Sequence, residues 1–295
     1  MLAAGHAAPS ILNTQPWQFA VSTDVIEFYA DRNYQLQHID PLGREQVISC
    51  GAAIFNMRVA AAALGRPMRV TLLPEPRSPQ HLATLSLDPE TDGQIPLAEL
   101  AEAIHNRHGR SFDTWPVGHD LMVRLHHAAT AEGARLQLIG PQRRRSFARL
   151  VRSANAAFAA DPRYEADLEA QQWPPRRTRD GISTARVPAA REPTGPYAAE
   201  EWVAVTTTAD DLLTWLAAGQ ATERVVLTAT TMGIGTSFMT QPLEIPLLRA
   251  DCGALLGQGI RPQVLLRLAP TSPTTGPARR PLDDVVTTRD NLDRP

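Results

Sequence analysis

Two long, alanine-rich apolar segments, each closing on a glycine, constrain the chain most. From Glu45 to Leu64, Val47, Ile48, Ala52, Ile54, Phe55, Val59 and Ala62 recur at helical spacing, and Gly65 followed by Pro67 supplies a stop. Asp210 to Met232 has the same character and closes on Gly233. Each helix runs into an extended stretch: AAAALGRPMRVTLL near residue 60, TATTMGIGTSFM near residue 230. Neither helix can bury its apolar surface alone. The recurrence suggests two copies of one α+β unit, although helix–glycine–strand successions also occur in unrelated chains.

The remaining pattern fits that outline. Ala3 to Ala8 reads as a short helix, and Trp17–Val21 and Val25–Tyr29 alternate as paired strands. Met68–Leu73 and His81–Leu87 read as two more. In the second half, helices are expected over Leu97–Ile104, Asp120–Glu132 and Gln142–Ala160, and strands over Arg135–Ile139 and Val264–Leu268. Residues 173–200 are rich in Pro, Gly and Arg without apolar periodicity; they read as a surface loop or as a lid. A tail runs from Gly276 to Val286. The division expected is 1–95 and 96–295, in an α+β fold of antiparallel sheets flanked by helices.

Composition excludes several function classes. Of 295 residues 43% are hydrophobic, enough for a sizeable core, and the net charge of −2 offers no general field for nucleic acid or an anionic membrane. The basic side chains other than histidine are all arginine, so a phosphate would be held by Arg or, less often, His. Cys50 and Cys252 have no CxxC partner, which argues against zinc and disulfides and suits a reducing cytoplasm. No uninterrupted apolar run approaches ~18 residues and no secretory signal is readable. No G-x-S-x-G, H-E-x-x-H or Walker motif is present, so neither a side-chain nucleophile nor a metal is expected.

One motif is specific. Ala8 to Phe19 reads APSILNTQPWQF, in which Pro9 breaks a helix and Ser10 or Asn13 can cap the next. Pro9, Ser10, Asn13, Gln15, Pro16, Trp17 and Phe19 fall where the FMN-dependent nitroreductase superfamily has P-S-x-x-N-x-Q-P-W-x-F. The segment RHGRSFDTWPV, from Arg107, resembles that family's phosphate-binding arm; arginine forks suit a dianionic phosphate, and Ser111 adds a neutral donor. MGIGTSFM resembles the segment whose backbone approaches the flavin N5 edge, where glycine leaves room for the ring. Arg279 and Arg280 resemble basic residues that also grip the phosphate. Asp40 to Gly65 is similar to the first-half helix of Acg-type proteins, single chains with two nitroreductase halves.

The resemblance implies one FMN bound by Pro9, Ser10, Asn13, Arg107, Arg110, Ser111, Gly235, Thr236, Ser237, Arg279 and Arg280, with no catalytic side chain. One site alone retains all its parts. No arginine arm precedes Ala8, and where the second half should carry the Pro-Ser-x-x-Asn motif it reads HHAATAEGARLQLI. A monomer would suffice, because the two halves can bury what a nitroreductase dimer buries. The activity implied is ping-pong transfer of a hydride from NAD(P)H through flavin N5 to a nitroaromatic or quinone acceptor. The alternative is an FMN-sequestering protein whose lid blocks turnover.

Overall fold

The computed structural model describes residues 1–87, 97–107, 118–170, 201–270 and 276–288. Helix α1 (Leu2–His6) leads through a 3₁₀ turn (Ile11–Asn13) into β1 (Trp17–Val21) and β2 (Val25–Ala30). The long helix α2 (Arg44–Ala63) follows, then β3 (Met68–Leu72) and β4 (His81–Leu87). After α3 (Ala103–Asn106) come α4 (His119–Ala131), β5 (Arg135–Leu138), α5 (Pro141–Ala160) and α6 (Pro162–Ala170). The chain continues with β6 (Glu201–Thr207), α7 (Leu212–Thr231), β7 (Ile234–Phe238), α8 (Pro246–Leu256), β8 (Arg261–Pro270) and β9 (Val286–Thr288).

The strands form two sheets of one design. The first runs β3-β4-β2-β1-β9 and the second, read the same way, β7-β8-β6-β5. Within each, two strands precede a long helix and two follow it, and these four pair antiparallel. The difference is β9, which returns from the C-terminus and pairs parallel with β1, Phe19 opposite Val286. The tail expected after the last strand, 276–286, thus leads into a strand of the first sheet. Regular structure also exceeds expectation at α6, β6 and α8, and falls short before Arg107, where the helix is only α3.

Packing explains why α2 is apolar around its circumference. Its first-sheet side meets Trp17, Phe19, Phe28, Leu82 and Leu85, all fully buried. Phe19 and Phe28, register partners, meet edge to face at 5.2 Å. Its other side lies on α7, which in turn packs with α4 on the second sheet. Helices α5 and α8 cover the opposite face of that sheet. The length and apolarity that would let α2 cross a membrane here serve the core.

α2 and α7 cross where two glycines meet. A Cβ on Gly51 would lie 2.4 Å from the Leu216 carbonyl oxygen and 3.0 Å from Gly219 Cα. A Cβ on Gly219 would lie 2.1 Å from the Ile48 carbonyl oxygen and 2.9 Å from Gly51 Cα. In each case the obstructing carbonyl belongs to the residue three positions before the facing glycine. The crossing therefore has local twofold character.

His6 ties α1, β1 and the C-terminal segment together. Trp17 Nε1–H donates to His6 Nδ1 at 3.0 Å, which leaves Nε2–H to donate to the Arg280 carbonyl at 2.8 Å. Only the neutral ring makes both bonds. Burial lowers the His6 pKa, and the charges of Arg279 and Arg280 lower it further against the raising effect of its backbone bond.

Two outcomes are expected. Gly219→Ala drives backbone against backbone and should destabilise the fold by about 3 kcal/mol or more, whereas Gly118→Ala, with nothing within 4 Å, should cost only the small preference for glycine at the N-cap of α4; thermal melts compare them. A depressed histidine pKa means the unfolded chain binds the extra proton first. Stability owed to His6 is thus present above the unfolded value of ~6.5 and declines as pH falls below it. Melts between pH 8 and 5 should fall more steeply for the wild type than for His6→Gln; parallel curves would reject this role.

Candidate flavin site

The Pro-Ser-x-x-Asn segment is a contorted loop held by its own side chains. Leu12, Asn13 and Gln15 have φ of 45°, 56° and 50°, a conformation each pays for with strain. Ser10 does not cap a helix through its side chain; its Oγ accepts from Gln15 N at 3.0 Å and closes the loop. Ile11 N donates to Ser49 Oγ on α2 at 3.1 Å. Asn13 Nδ2 donates to the Ala278 carbonyl at 3.0 Å, and Arg279 donates to Asn13 Oδ1. The loop is therefore fixed from α2 on one side and from the C-terminal segment on the other.

Pro9, Ser10 and Asn13 form one wall of a cavity of about 280 Å³. Glu45, Ile48, Ser49 and Ala52 of α2 form its floor with Thr222 of α7. Tyr164 of α6 and Phe238, Thr240, Gln241 and Glu244 complete it. Gly235, Thr236 and Ser237 lie one step away on β7, paired with Ala269, Leu268 and Arg267. Two polar atoms on the walls, Thr222 Oγ1 and Gln241 Oε1, are buried with no hydrogen-bond partner. Unpaired buried polar atoms are costly, and here they adjoin a space that a heterocycle with a polar edge would fill.

Behind Asn13 lies a cationic cluster. Arg107 is buried, its Nη2 donating to the Ala7 carbonyl at 2.7 Å while Nε has no hydrogen-bond partner. Arg279 Nη2 reaches the same Ala7 carbonyl at 3.0 Å and that of Ala8 at 3.1 Å. The carboxylate facing both is Glu223, fully buried on α7 and 3.9 Å from Arg107 Nε. Burial lowers the pKa of Arg279 to about 10, with the charge of Arg107 adding to the shift and Glu223 opposing it. Burial likewise raises Glu223 against the pull of Arg107 and the neighbouring Asn56. Two guanidinia and one carboxylate leave a net positive charge in the interior, a setting suited to an anion.

Arg280 has a different position: it lies over the Tyr34 ring at 3.8 Å and donates to the Gln15 carbonyl at 3.2 Å and the Asp284 carbonyl at 3.4 Å. Arg110, Ser111 and the lid candidate at 173–200 lie outside the described residues. Sequence reasoning missed Glu45, Tyr164, Thr222, Glu223, Gln241 and Glu244. Only the spacing of Glu45, Ile48, Ser49 and Ala52 on one face of α2 was available as a signal.

No family model matches the chain. Among curated proteins it is 35% identical, over 95% of its length and 88% of theirs, to the Mycobacterium tuberculosis H37Rv protein "Putative NAD(P)H nitroreductase Rv3131". It is 28% identical, over 96% of its own length and 92% of the relative's, to "Putative NAD(P)H nitroreductase acg" of the same strain. Among solved structures, a nitroreductase with bound FMN from Desulfitobacterium hafniense aligns with 64% of the chain and 97% of its own, at 16% identity and a TM-score of 0.41. A nitroreductase-like protein from Bacillus cereus aligns with 63% and 92%, at 18% identity and a TM-score of 0.40. Related to the mycobacterial proteins along nearly its whole length, the chain belongs to the Acg-type nitroreductase family.

Proposed function

We propose that the protein binds one FMN and is an NAD(P)H-dependent oxidoreductase acting on a small acceptor such as a nitroaromatic or a quinone. The observation that carries this reading is that Asn13, on the wall of the cavity, is also the residue to which Arg279 of the buried Arg107–Arg279 pair donates. The cluster's charge fits a phosphate, and the orphaned Thr222 and Gln241 atoms fit a ring with donors and acceptors on its edge. FMN, when bound, supplies the two-electron carrier. The chain's own residues bind and orient. Arg107 and Arg279, joined by Arg110 and Ser111, would hold the phosphate; the 9–13 loop would support the ring, with the β7 segment at Gly235, Thr236 and Ser237. Arg280 contributes at one remove, by fixing Gln15 and so the loop.

On this reading the two units, 1–95 and 96–295, are duplicated halves in one monomer, with β9 crossing from the second to the first. The Gly51–Gly219 crossing sets residue equivalences: Phe55 corresponds to Glu223 and Asn56 to Arg224. At the place equivalent to the cationic cluster, Glu132 bridges Arg58 at 2.5 Å and Arg224 at 2.7 Å. Both guanidinia lie over Phe55, and Arg58 also donates to Gln220 at 2.8 Å. Helix α4 runs unbroken to Ala131 where the first unit has its loop. The second place is filled by the protein's own ion pairs, which supports one cofactor per chain.

Reconstituted protein should therefore release one FMN per chain by absorbance, and NAD(P)H should bleach the bound flavin under argon. Two flavins would reject the single site; one flavin that NAD(P)H leaves yellow would favour sequestration. Arg279→Ala removes a charged donor worth about 1.5–3 kcal/mol and should weaken FMN binding roughly 10- to 150-fold. Riboflavin, which lacks the phosphate, should lose much less, since for it only the Arg279 bond to Asn13 is at stake; an equal loss for both ligands would make the arginine structural.

A further inference from the structure

The cavity assigned to the flavin shares a wall with a second one of about 480 Å³, enclosed by the loop before α2, helix α8 and the turn at 257–262. Glu244 lines both. Its surroundings are acidic: Asp40 and Glu45 face it, with Arg44 the guanidinium among them. Arg44 is already committed, donating to the Gln263 carbonyl at 2.8 Å, to Gln263 Oε1 at 3.2 Å, to Glu45 and to the Leu243 carbonyl. Asp40 is committed as well, its Oδ2 accepting Gln46 N at 2.8 Å at the start of α2. Across the second cavity, Arg249 is held by both oxygens of Asp210 at 2.8 Å. Tyr164 of α6 and the Thr240 hydroxyl are further polar neighbours of Glu244.

Three carboxyls around one guanidinium cannot all be ionised cheaply. Glu45 has the ion pair and Asp40 the helix N-terminus, so the proton falls to the group with neither. We infer that Glu244 is the proton-holding residue of this site, an acid set in the wall between a solvent-open cavity and the flavin cavity. Burial, with Glu45 and Asp40 adding to it, pushes its carboxyl well above the usual range; Arg44 and Thr240 oppose this only in part. Position makes the proton useful. Resting on the flavin reading above, the step for a quinone is as follows. FMN, when bound and reduced by NAD(P)H, would supply the hydride and be reoxidised. The quinone takes that hydride on one carbonyl oxygen and the Glu244 proton on the other, becoming the hydroquinone. The Glu244 carboxylate then regains a proton from water through the second cavity.

Infrared spectra of the flavin-free protein at pH 7 should show a protonated-carboxyl stretch that Glu244→Gln removes and Glu45→Gln leaves. A missing band, or one removed only by Glu45→Gln, overturns the assignment. In FMN-loaded, anaerobically reduced protein mixed with benzoquinone, Glu244→Gln should slow reoxidation about 100-fold. It should also abolish the wild-type decline at high pH, and Glu244→Asp should restore part of the rate. Rates and pH profiles unchanged in both variants overturn the proton delivery. If the chain takes up no FMN, the flavin reading fails, and the infrared band decides the Glu244 assignment by itself.

Discussion

The contact between Gly51 and Gly219 sets the distance between α2 and α7, and most of the molecule is arranged around that distance. A helix pair carrying side chains at its crossing stands about 8–10 Å apart. Here each backbone carbonyl of the preceding turn occupies the place where the facing residue's Cβ would sit. The close approach brings Ser49 and Ala52 of one helix and Thr222 of the other into a single cavity floor. It also places Asn56 beside Glu223. Widening the crossing would open the floor and part Asn56 from Glu223 in one movement.

The second constraint is the C-terminal return. β9 extends the first sheet beside β1, and the segment before it supplies the Ala278 carbonyl, Arg279 and the Arg280 backbone to the 9–15 loop. Three left-handed non-glycine residues in four positions persist only where neighbours over-determine them. Ser49, Gln15, His6 and the returning segment do so together. The wall of the cavity is thus assembled from the two ends of the chain, and its rigidity comes from hydrogen bonds separated by more than 260 residues.

Charge is distributed unevenly between the ends of the site. The Arg107–Arg279 end is positive after Glu223 is counted, and the Asp40–Glu45–Glu244 end is negative after Arg44 is counted. A ligand with an anionic tail and a neutral ring would experience an oriented field along its length. The pseudo-equivalent place beside Phe55 has the same count of charges but pairs them closely: Glu132 sits between Arg58 and Arg224 at 2.5 and 2.7 Å, whereas Glu223 stands 3.9 Å from Arg107. One crossing with local twofold character thus yields two chemically different sides.

Much of this was legible in local pattern. Alternation placed β1 and β2, apolar spacing with Gly65 and Gly233 bounded α2 and α7, and the Pro9–Phe19 motif marked the loop that walls the cavity. These features are encoded by neighbours a few residues apart, where periodicity and turn chemistry act. β6 was hidden beside the irregular stretch before it, and β9 is too short to show alternation. The buried partners were hidden for another reason. Thr222, Glu223 and Glu244 have no distinctive local spacing, and their meaning arises from residues that approach only when α7 lies on α2 and the C-terminus returns to β1. Arg279 and Arg280 show the limit most clearly. Adjacent and identical in sequence, one is directed into the cationic cluster and the other onto Tyr34. The sequence by itself determined the long helices, the alternating strands and the loop at Pro9; tertiary packing decided the return of β9 and which buried charge faces which, because burial and Coulomb interaction depend on distance through space and not along the chain.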